Sequence, residues 1–291
     1  MSRHPLRLAI REAQRMLAEA GVGSPRVDAE LLAAHVLGVD RGRLPLIPLV
    51  EPAVLEELRE LVLRRAQRVP LQHLTGSAAL GGVDVAVGPG VFIPRPETEL
   101  LLVWGLSLLA EMTAPLVIDL CTGSGALALA TARARPDAEV HAVEKDPVAL
   151  SWARCNAGAR ASAGETPITQ HSADIADPAL LTTLDGRADL VLCNPPYVPV
   201  GATVPPEVAW HDPATAVFAG PDGLAVITDA IRTGTRLLRD GGGIAIEHDD
   251  SHATAVPGLL AARRVLTDVT DHSDLAGRPR FATARRCPAG G

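Results

Sequence analysis

Apolar residues recur every three to four positions through the first quarter of the chain. In LRLAIREAQRMLAEAGV that spacing predicts an amphipathic helix stopped by glycine. SPRVDAELLAAHVLGVD predicts a second, with Ser24 as its N-cap and Pro25 at the first helical position. PAVLEELRELVLRRAQRVP predicts a third, ended before Pro70, its arginines forming a solvated face. The texture then changes. LTGSAALGGVDVAVGPGVFIPRP is glycine-rich with short alternating apolar pieces, which predicts a hairpin and linker. From about residue 98, LVIDL, EVHAVE, ITQHSAD, DLVLCN and GGIAIEH alternate with helical stretches such as ALALATARAR and PVALSWARCNAGARA. That alternation predicts an α/β fold, a parallel sheet covered by helices. The end, RVLTDVTDHSDLAGRPRFATARR, predicts two more strands as a hairpin at the sheet edge. The expected division is a helical domain over 1–75, a hairpin and linker over 76–97, and the α/β domain over 98–291.

Composition narrows the class. Of 291 residues, 47% are hydrophobic but only 2% aromatic, so a large core must be built from Ala, Leu and Val. A net charge of −7 argues against a nucleic-acid binder that uses its whole surface, though not against a local basic patch. The four cysteines, Cys121, Cys155, Cys193 and Cys287, show no CxxC pairing and fit a reducing cytosol. MSRHPLRLAI shows no signal peptide, and the longest apolar run, ELLLVWGLSLLAEM, is too short for a bilayer. The expectation is a soluble, cytoplasmic protein.

Two stretches carry chemistry. LVIDLCTGSGALALA reads as strand, tight turn and helix. Gly123 and Gly125 let backbone approach a ligand with no Cβ in the way, and the helix start behind them offers N–H groups. Glu144 ends the next strand, where an acid can accept both hydroxyls of a ribose. Gly123-x-Gly125-x-x-Ala128 also satisfies the dinucleotide fingerprint, so the loop alone fits a nicotinamide cofactor or S-adenosylmethionine. Asp119, just before the loop, suits the amino group of a methionine moiety and is unwelcome to a pyrophosphate. This tilts the reading to S-adenosylmethionine.

The second stretch is Asn194-Pro195-Pro196-Tyr197, directly after DLVLC. In doubly wound sheets, ligands sit beyond the carboxyl ends of the strands, which is where Asn194 falls. The prolines stiffen the backbone and donate nothing, leaving the Pro195 carbonyl to point into a cleft. With the Asn194 side-chain carbonyl it forms two acceptors for the two hydrogens of a planar –NH2 group. Tyr197 adds a flat face or a hydroxyl for the same guest. Holding both N–H bonds aims the nitrogen at an activated methyl and favours the charge developing on it.

Together, DLCTGSG and NPPY resemble class I methyltransferases acting on exocyclic or amide nitrogen. More narrowly, the chain resembles the release-factor glutamine methyltransferase family (PrmC/HemK) nearly end to end, through SPRVDAELLAAHVLG, PLQHLTG, FIPRPETE, DPATAVFAGPDGL and DLAGRPRFATARR. The resemblance implies a Rossmann-like class I methyltransferase domain with a mostly parallel seven-stranded sheet over 98–291. The small N-terminal helical domain would dock the release factor. It implies S-adenosylmethionine as cofactor and, as substrate, the glutamine of the Gly-Gly-Gln loop of peptide chain release factors. It assigns Asp119, Cys121, Thr122, Gly123, Ser124, Gly125, Glu144, Asp174, Ile175 and Asn194 to the cofactor. Asn194, Pro195, Pro196 and Tyr197 hold the glutamine, with Asn194, Pro195 and Tyr197 catalytic. Three departures stand out. Cys121 replaces a loop glycine, where a side chain opposes positive φ and crowds the cofactor. Ile175 stands where relatives carry a tryptophan near the adenine. IEHDDSHA lacks the Gly and Gln that usually follow the glutamate, so no role is carried onto those positions.

The remaining candidates have plainer readings. His248 and His252, four apart, read as a polar loop, not a metal site, and no metal is expected. His73, His141 and His171 read as structural, and Cys193 as a small buried strand residue. Trp210 and His211, in the long loop after the motif, are placed at the substrate mouth. Pro96, Glu97 and Glu99 fall in a first helical turn, where acids suit the dipole. The rival functions are glutamine methylation of a ribosomal protein, adenine or guanine amino methylation of nucleic acid, a nicotinamide-dependent oxidoreductase, and a non-catalytic adaptor on the termination machinery. No membrane partner and no stable nucleic-acid partner are expected.

Overall fold

In the computed structural model, which describes residues 3–288, the N-terminal helical periodicity becomes three helices. The strand β1 (His4–Pro5) leads into α1 (Leu6–Glu19), α2 (Pro25–Leu37), β2 (Leu49–Val50), α3 (Pro52–Ala66) and the short α4 (Leu71–Thr75). Their apolar stripes meet in one core that includes Leu6, Leu17, Leu32, Leu58 and Val62. Ser24 precedes α2 as expected, but its side chain makes no capping bond. The Ser24 carbonyl instead accepts from the Asp28 N–H at 2.9 Å. The arginines of α3 are not all solvated. Arg65 is 7% exposed, with Nε 2.7 Å from Asp28 Oδ2.

Two compact units divide the described residues: one of 3–77 together with 204–211, the other of 78–203 and 212–288. The boundary falls at the first residue of β3 (Ser77–Leu80), which forms a hairpin with β4 (Val83–Ala86); Leu80, Val83 and Val85 join the core of the second unit. Next come α5 (Glu99–Leu108), β5 (Leu116–Leu120), α6 (Ala126–Ala134), β6 (Glu139–Glu144), α7 (Pro147–Ser162), β7 (Thr169–Ser172) and β8 (Ala188–Cys193). The chain then supplies α8 (Pro206–His211) to the first unit, where Glu207 meets Arg65 at 2.9 Å and Arg68 at 2.7 Å. It returns for α9 (Ala214–Val217), α10 (Ala225–Leu237), β9 (Leu238–Glu247), α11 (Ala255–Ala261), β10 (Leu266–Ser273) and β11 (Pro279–Arg286).

Seven strands form the main sheet in the order β10-β11-β9-β8-β5-β6-β7. The strands β5 to β9 run parallel, while β11 is antiparallel to both its neighbours. The terminal hairpin is at the edge, with β10 outermost and β11 inserted beside β9. Side chains alternate between two buried faces: Val117 faces one core, and Leu116, Ile118 and Leu120 the other. Burial on both faces is why these strands read as nearly continuous apolar runs. Strand order reverses at β5, with β6 on one side and β8 on the other, which opens a crevice beyond their carboxyl ends.

Candidate active site

The glycine loop is built by its own hydrogen bonds. Cys121, Gly123 and Gly125 all have positive φ, at 60°, 58° and 83°. Cys121 therefore takes the left-handed conformation that its side chain was expected to oppose. The Thr122 N–H donates to the Val143 carbonyl at 3.0 Å, and the Gly125 N–H to the Thr122 carbonyl at 2.9 Å. Asn156 of α7 clamps the loop to β4: its Nδ2 donates to the Ser124 and Ala86 carbonyls, and its Oδ1 accepts from the Ala86 N–H. Asp119 is 1% exposed, and Thr122 Oγ1 donates to it at 2.5 Å. Burial pushes its carboxyl up to about 7, against the hydrogen bonds from Thr122 and the Ala128 N–H. Asp119 is thus engaged by the loop itself.

Glu144 lies across the loop from β6. Its Oε2 accepts from the Gly123 N–H and its Oε1 from the Asp146 N–H, both at 2.9 Å. Burial raises its pKa. A Cβ built on Gly123 would meet nothing within 4 Å, so the loop has an open face. An acid fixed to a tight loop with open space above it fits a ribose-bearing cofactor. Lys145, the chain's only lysine, reaches Asp174 at 3.5 Å beside it. Asp174 is exposed, whereas Ile175, expected along an adenine, is 5% exposed and packs into the core below.

The register pairs Leu120 with Cys193, so the glycine loop and Asn194 leave neighbouring strand ends. Cys193 is fully buried. Asn194 Nδ2 donates to Thr98 Oγ1 at 3.0 Å, and Thr98 Oγ1 donates to Glu247 Oε2 at 2.7 Å. Tyr197, the only tyrosine, donates its hydroxyl to Glu247 Oε1 at 3.1 Å. That hydroxyl, one of the two uses expected of Tyr197, is therefore engaged within the protein, leaving the ring. Burial pushes the Glu247 carboxyl up to about 7 despite these two donors. The Tyr197 hydroxyl is raised well above its usual range by burial and by Glu247. Among the described residues no protein donor meets the Pro195 carbonyl or Asn194 Oδ1.

Downstream backbone braces this turn. The Val198 N–H donates to the Val217 carbonyl and its carbonyl accepts from the Ala219 N–H, both at 2.9 Å. Gly223 packs on the Tyr197 carbonyl, and His252 Nε2 holds the Asp222 carbonyl at 2.9 Å. His248 and His252 lie in the segment between β9 and α11, read as a polar loop, but both are buried, and His248 Nε2 pairs with Asp271 at 2.9 Å. Among the described residues no group of three or more His, Cys, Asp or Glu is placed to hold a metal ion. Trp210 is 66% exposed and belongs, with His211, to the first unit.

Sequence reasoning missed Thr98 and Glu247. Glu247 follows the buried apolar run Ile244–Ile246 at the carboxyl end of β9, level with the end of β8, and that position was a usable signal. Thr98 had none, because its role arises from contacts 96 and 149 residues away.

This strand order, with a glycine loop after β5 and an Asn-Pro-Pro-Tyr turn after β8, is the Rossmann-like fold of methyltransferases. Two solved structures share it. The hMettl16 catalytic domain in complex with MAT2A 3′UTR hairpin 6 aligns with a TM-score of 0.55 at 16% identity, covering 79% of this chain and 83% of that one. The Thermus thermophilus 16S rRNA N2 G1207 methyltransferase aligns with a TM-score of 0.51 at 22% identity, covering 72% and 49%. Residues 96–211 match the methyltransferase small domain and residues 9–76 the PrmC N-terminal domain. The release factor glutamine methyltransferase of Mycolicibacterium smegmatis is 53% identical over 97% of this chain and 98% of its own length. That of Mycobacterium tuberculosis is 48% identical over 97% and 91%. The chain belongs to the release factor glutamine methyltransferase family.

Proposed function

We propose that the chain transfers a methyl group from S-adenosylmethionine to the side-chain amide nitrogen of the glutamine in the Gly-Gly-Gln motif of peptide chain release factors. The observation that carries this reading is the pair of unpartnered acceptors, Asn194 Oδ1 and the Pro195 carbonyl, beside the glycine loop. Glu144 and the backbone of Cys121, Thr122, Gly123, Ser124 and Gly125 hold the cofactor, with Asp119 acting through the loop it shapes. Asp174, exposed two residues after β7, lies on the adenine side. When bound, S-adenosylmethionine supplies a methyl activated by a sulfonium, so the protein need not build a nucleophile of its own.

The protein's task is to present a poor nucleophile. An amide nitrogen shares its lone pair with its carbonyl. Two fixed acceptors take its two N–H bonds, orient the nitrogen and stabilise the positive charge it gains. Positioning of this kind contributes on the order of 7–11 kcal/mol at best. The proton leaves after transfer, so no strong base is required. Pro196 keeps the turn rigid, and the ring of Tyr197 flanks the guest. The N-terminal helical unit serves to dock the release factor, and the cytoplasm is the compartment where that substrate is met.

Asn194→Ala tests the reading. The turnover number for methyl transfer to a release factor is expected to fall ~100-fold or more, as for loss of a group aimed at developing charge. The dissociation constant for S-adenosylmethionine, measured by calorimetry, is expected to stay within about twofold. An equal loss of cofactor affinity would assign Asn194 to the cofactor instead.

A further inference from the structure

We propose that Thr98 and Glu247 form a positioning pair that decides which end of the Asn194 amide faces the substrate, an inference that rests on Asn194 being the acceptor for the glutamine. The argument is a count of hydrogens. Thr98 has one hydroxyl proton, and it is on Glu247 Oε2 at 2.7 Å. Toward Asn194 it therefore presents only a lone pair, and only Nδ2 can meet a lone pair. The 3.0 Å contact fixes the amide with Oδ1 turned away from Thr98. Rotating the amide by half a turn sets oxygen against oxygen and offers the substrate a donor where it needs an acceptor.

The pair comes from three parts of the chain: the turn before α5, the end of β9 and the residue after β8. Register supports it, because Cys193 pairs with Ile246, which sets Asn194 beside Glu247. Thr98 is 4% exposed and Glu247 1%, so water does not compete for these bonds. Tyr197 closes the other carboxylate oxygen. Arg280 on β11, Glu97 ahead of α5 and Cys193 on β8 are the other titratable or charged groups that act on Glu247 or feel its charge. Of these Arg280 favours the ionised form and Glu97 opposes it.

A protonated Glu247 is itself a donor and frees the Thr98 proton to turn toward Asn194 Oδ1. The working arrangement therefore needs the carboxylate. With its pKa pushed up to about 7 by burial, turnover falls as pH falls through that value. The sign is fixed: the active form is the deprotonated one, present above it.

Thr98→Val and Thr98→Ser in the full chain, assayed with S-adenosylmethionine and a release factor beside Asn194→Ala, test the pair. Thr98→Val is expected to lower the turnover number ~10- to 100-fold, the range of one lost buried hydrogen-bond partner. The Michaelis constant for release factor is expected to change less than about threefold, and the acid limb near pH 7 to disappear. Thr98→Ser is expected to restore the rate to within about threefold of wild type. Glu247→Gln, which cannot titrate, is expected to lose the same acid limb and gives a reading independent of how well valine is tolerated. If Thr98→Val turns over like wild type while Asn194→Ala is disabled, the pair is overturned and Asn194 stands. If both turn over normally, the grip itself is overturned. A serine variant as poor as valine, or a retained acid limb in Glu247→Gln, also overturns the pair.

Discussion

Cys121 stands where the sequence resemblance expects a loop glycine, and the loop forms with the cysteine in the left-handed conformation. It holds φ at 60°, a conformation that costs a non-glycine residue about 1–3 kcal/mol. Glycine relieves that strain but loses more backbone entropy on folding, by about 0.5–1 kcal/mol. Cys121→Gly is therefore expected to stabilise the protein by about 1 kcal/mol, read as a higher denaturant midpoint with an unchanged slope. A midpoint that stays or falls contradicts the strain assignment. Residues singled out by local spacing, Gly123, Glu144 and Asn194, were legible in the sequence as candidates, and the sheet brings them to neighbouring strand ends. Thr98 and Glu247 were not, because each acquires its role from a partner brought in by the sheet. Ile175 was singled out by family position alone, and its side chain is buried in the core cluster beside the sheet.

Among elements, the strands were readable from their apolar runs, while the order in which they pair was only partly so. A terminal hairpin predicts adjacency but not which of its strands lies outermost. The brace on the Asn-Pro-Pro-Tyr turn was also invisible, because it pairs Val198 with residues 217 to 219 across an excursion of the chain. Gly223 is its tightest point, with φ of 76° and a would-be Cβ 2.2 Å from the Tyr197 carbonyl oxygen. Gly223→Ala must displace the turn, the loop or both. It is expected to cost ~2 kcal/mol or more of stability, through overpacking and forbidden φ together. Turnover is expected to fall ~10- to 100-fold, the effect of misplacing a reacting group by about 1 Å. Thermal melts and steady-state kinetics on the same preparation check both. A variant with wild-type turnover would show that the brace does not position the turn.

At the scale of the molecule, the alternation of apolar strands with helices made the α/β class plain from sequence, and several motifs in one order made the family plain. The return of α8 to the first unit was not legible. Six residues are too few to show a helical period, and the tie is the ionic cluster of Glu207 with Arg65 and Arg68, about 140 positions apart in the chain. That cluster also explains why Arg65 is buried when helical patterning put it on a solvated face: its charge is matched by Asp28 and Glu207.

The most direct measurement offers the purified chain a release factor, a ribosomal protein and DNA together, with isotope-labelled S-adenosylmethionine, and maps the label by mass spectrometry. The expected result is a single labelled methyl on the side-chain amide nitrogen of the glutamine in the Gly-Gly-Gln motif, abolished when that glutamine is replaced. Label on the ribosomal protein, on a base, or on any other residue of the release factor would contradict the account.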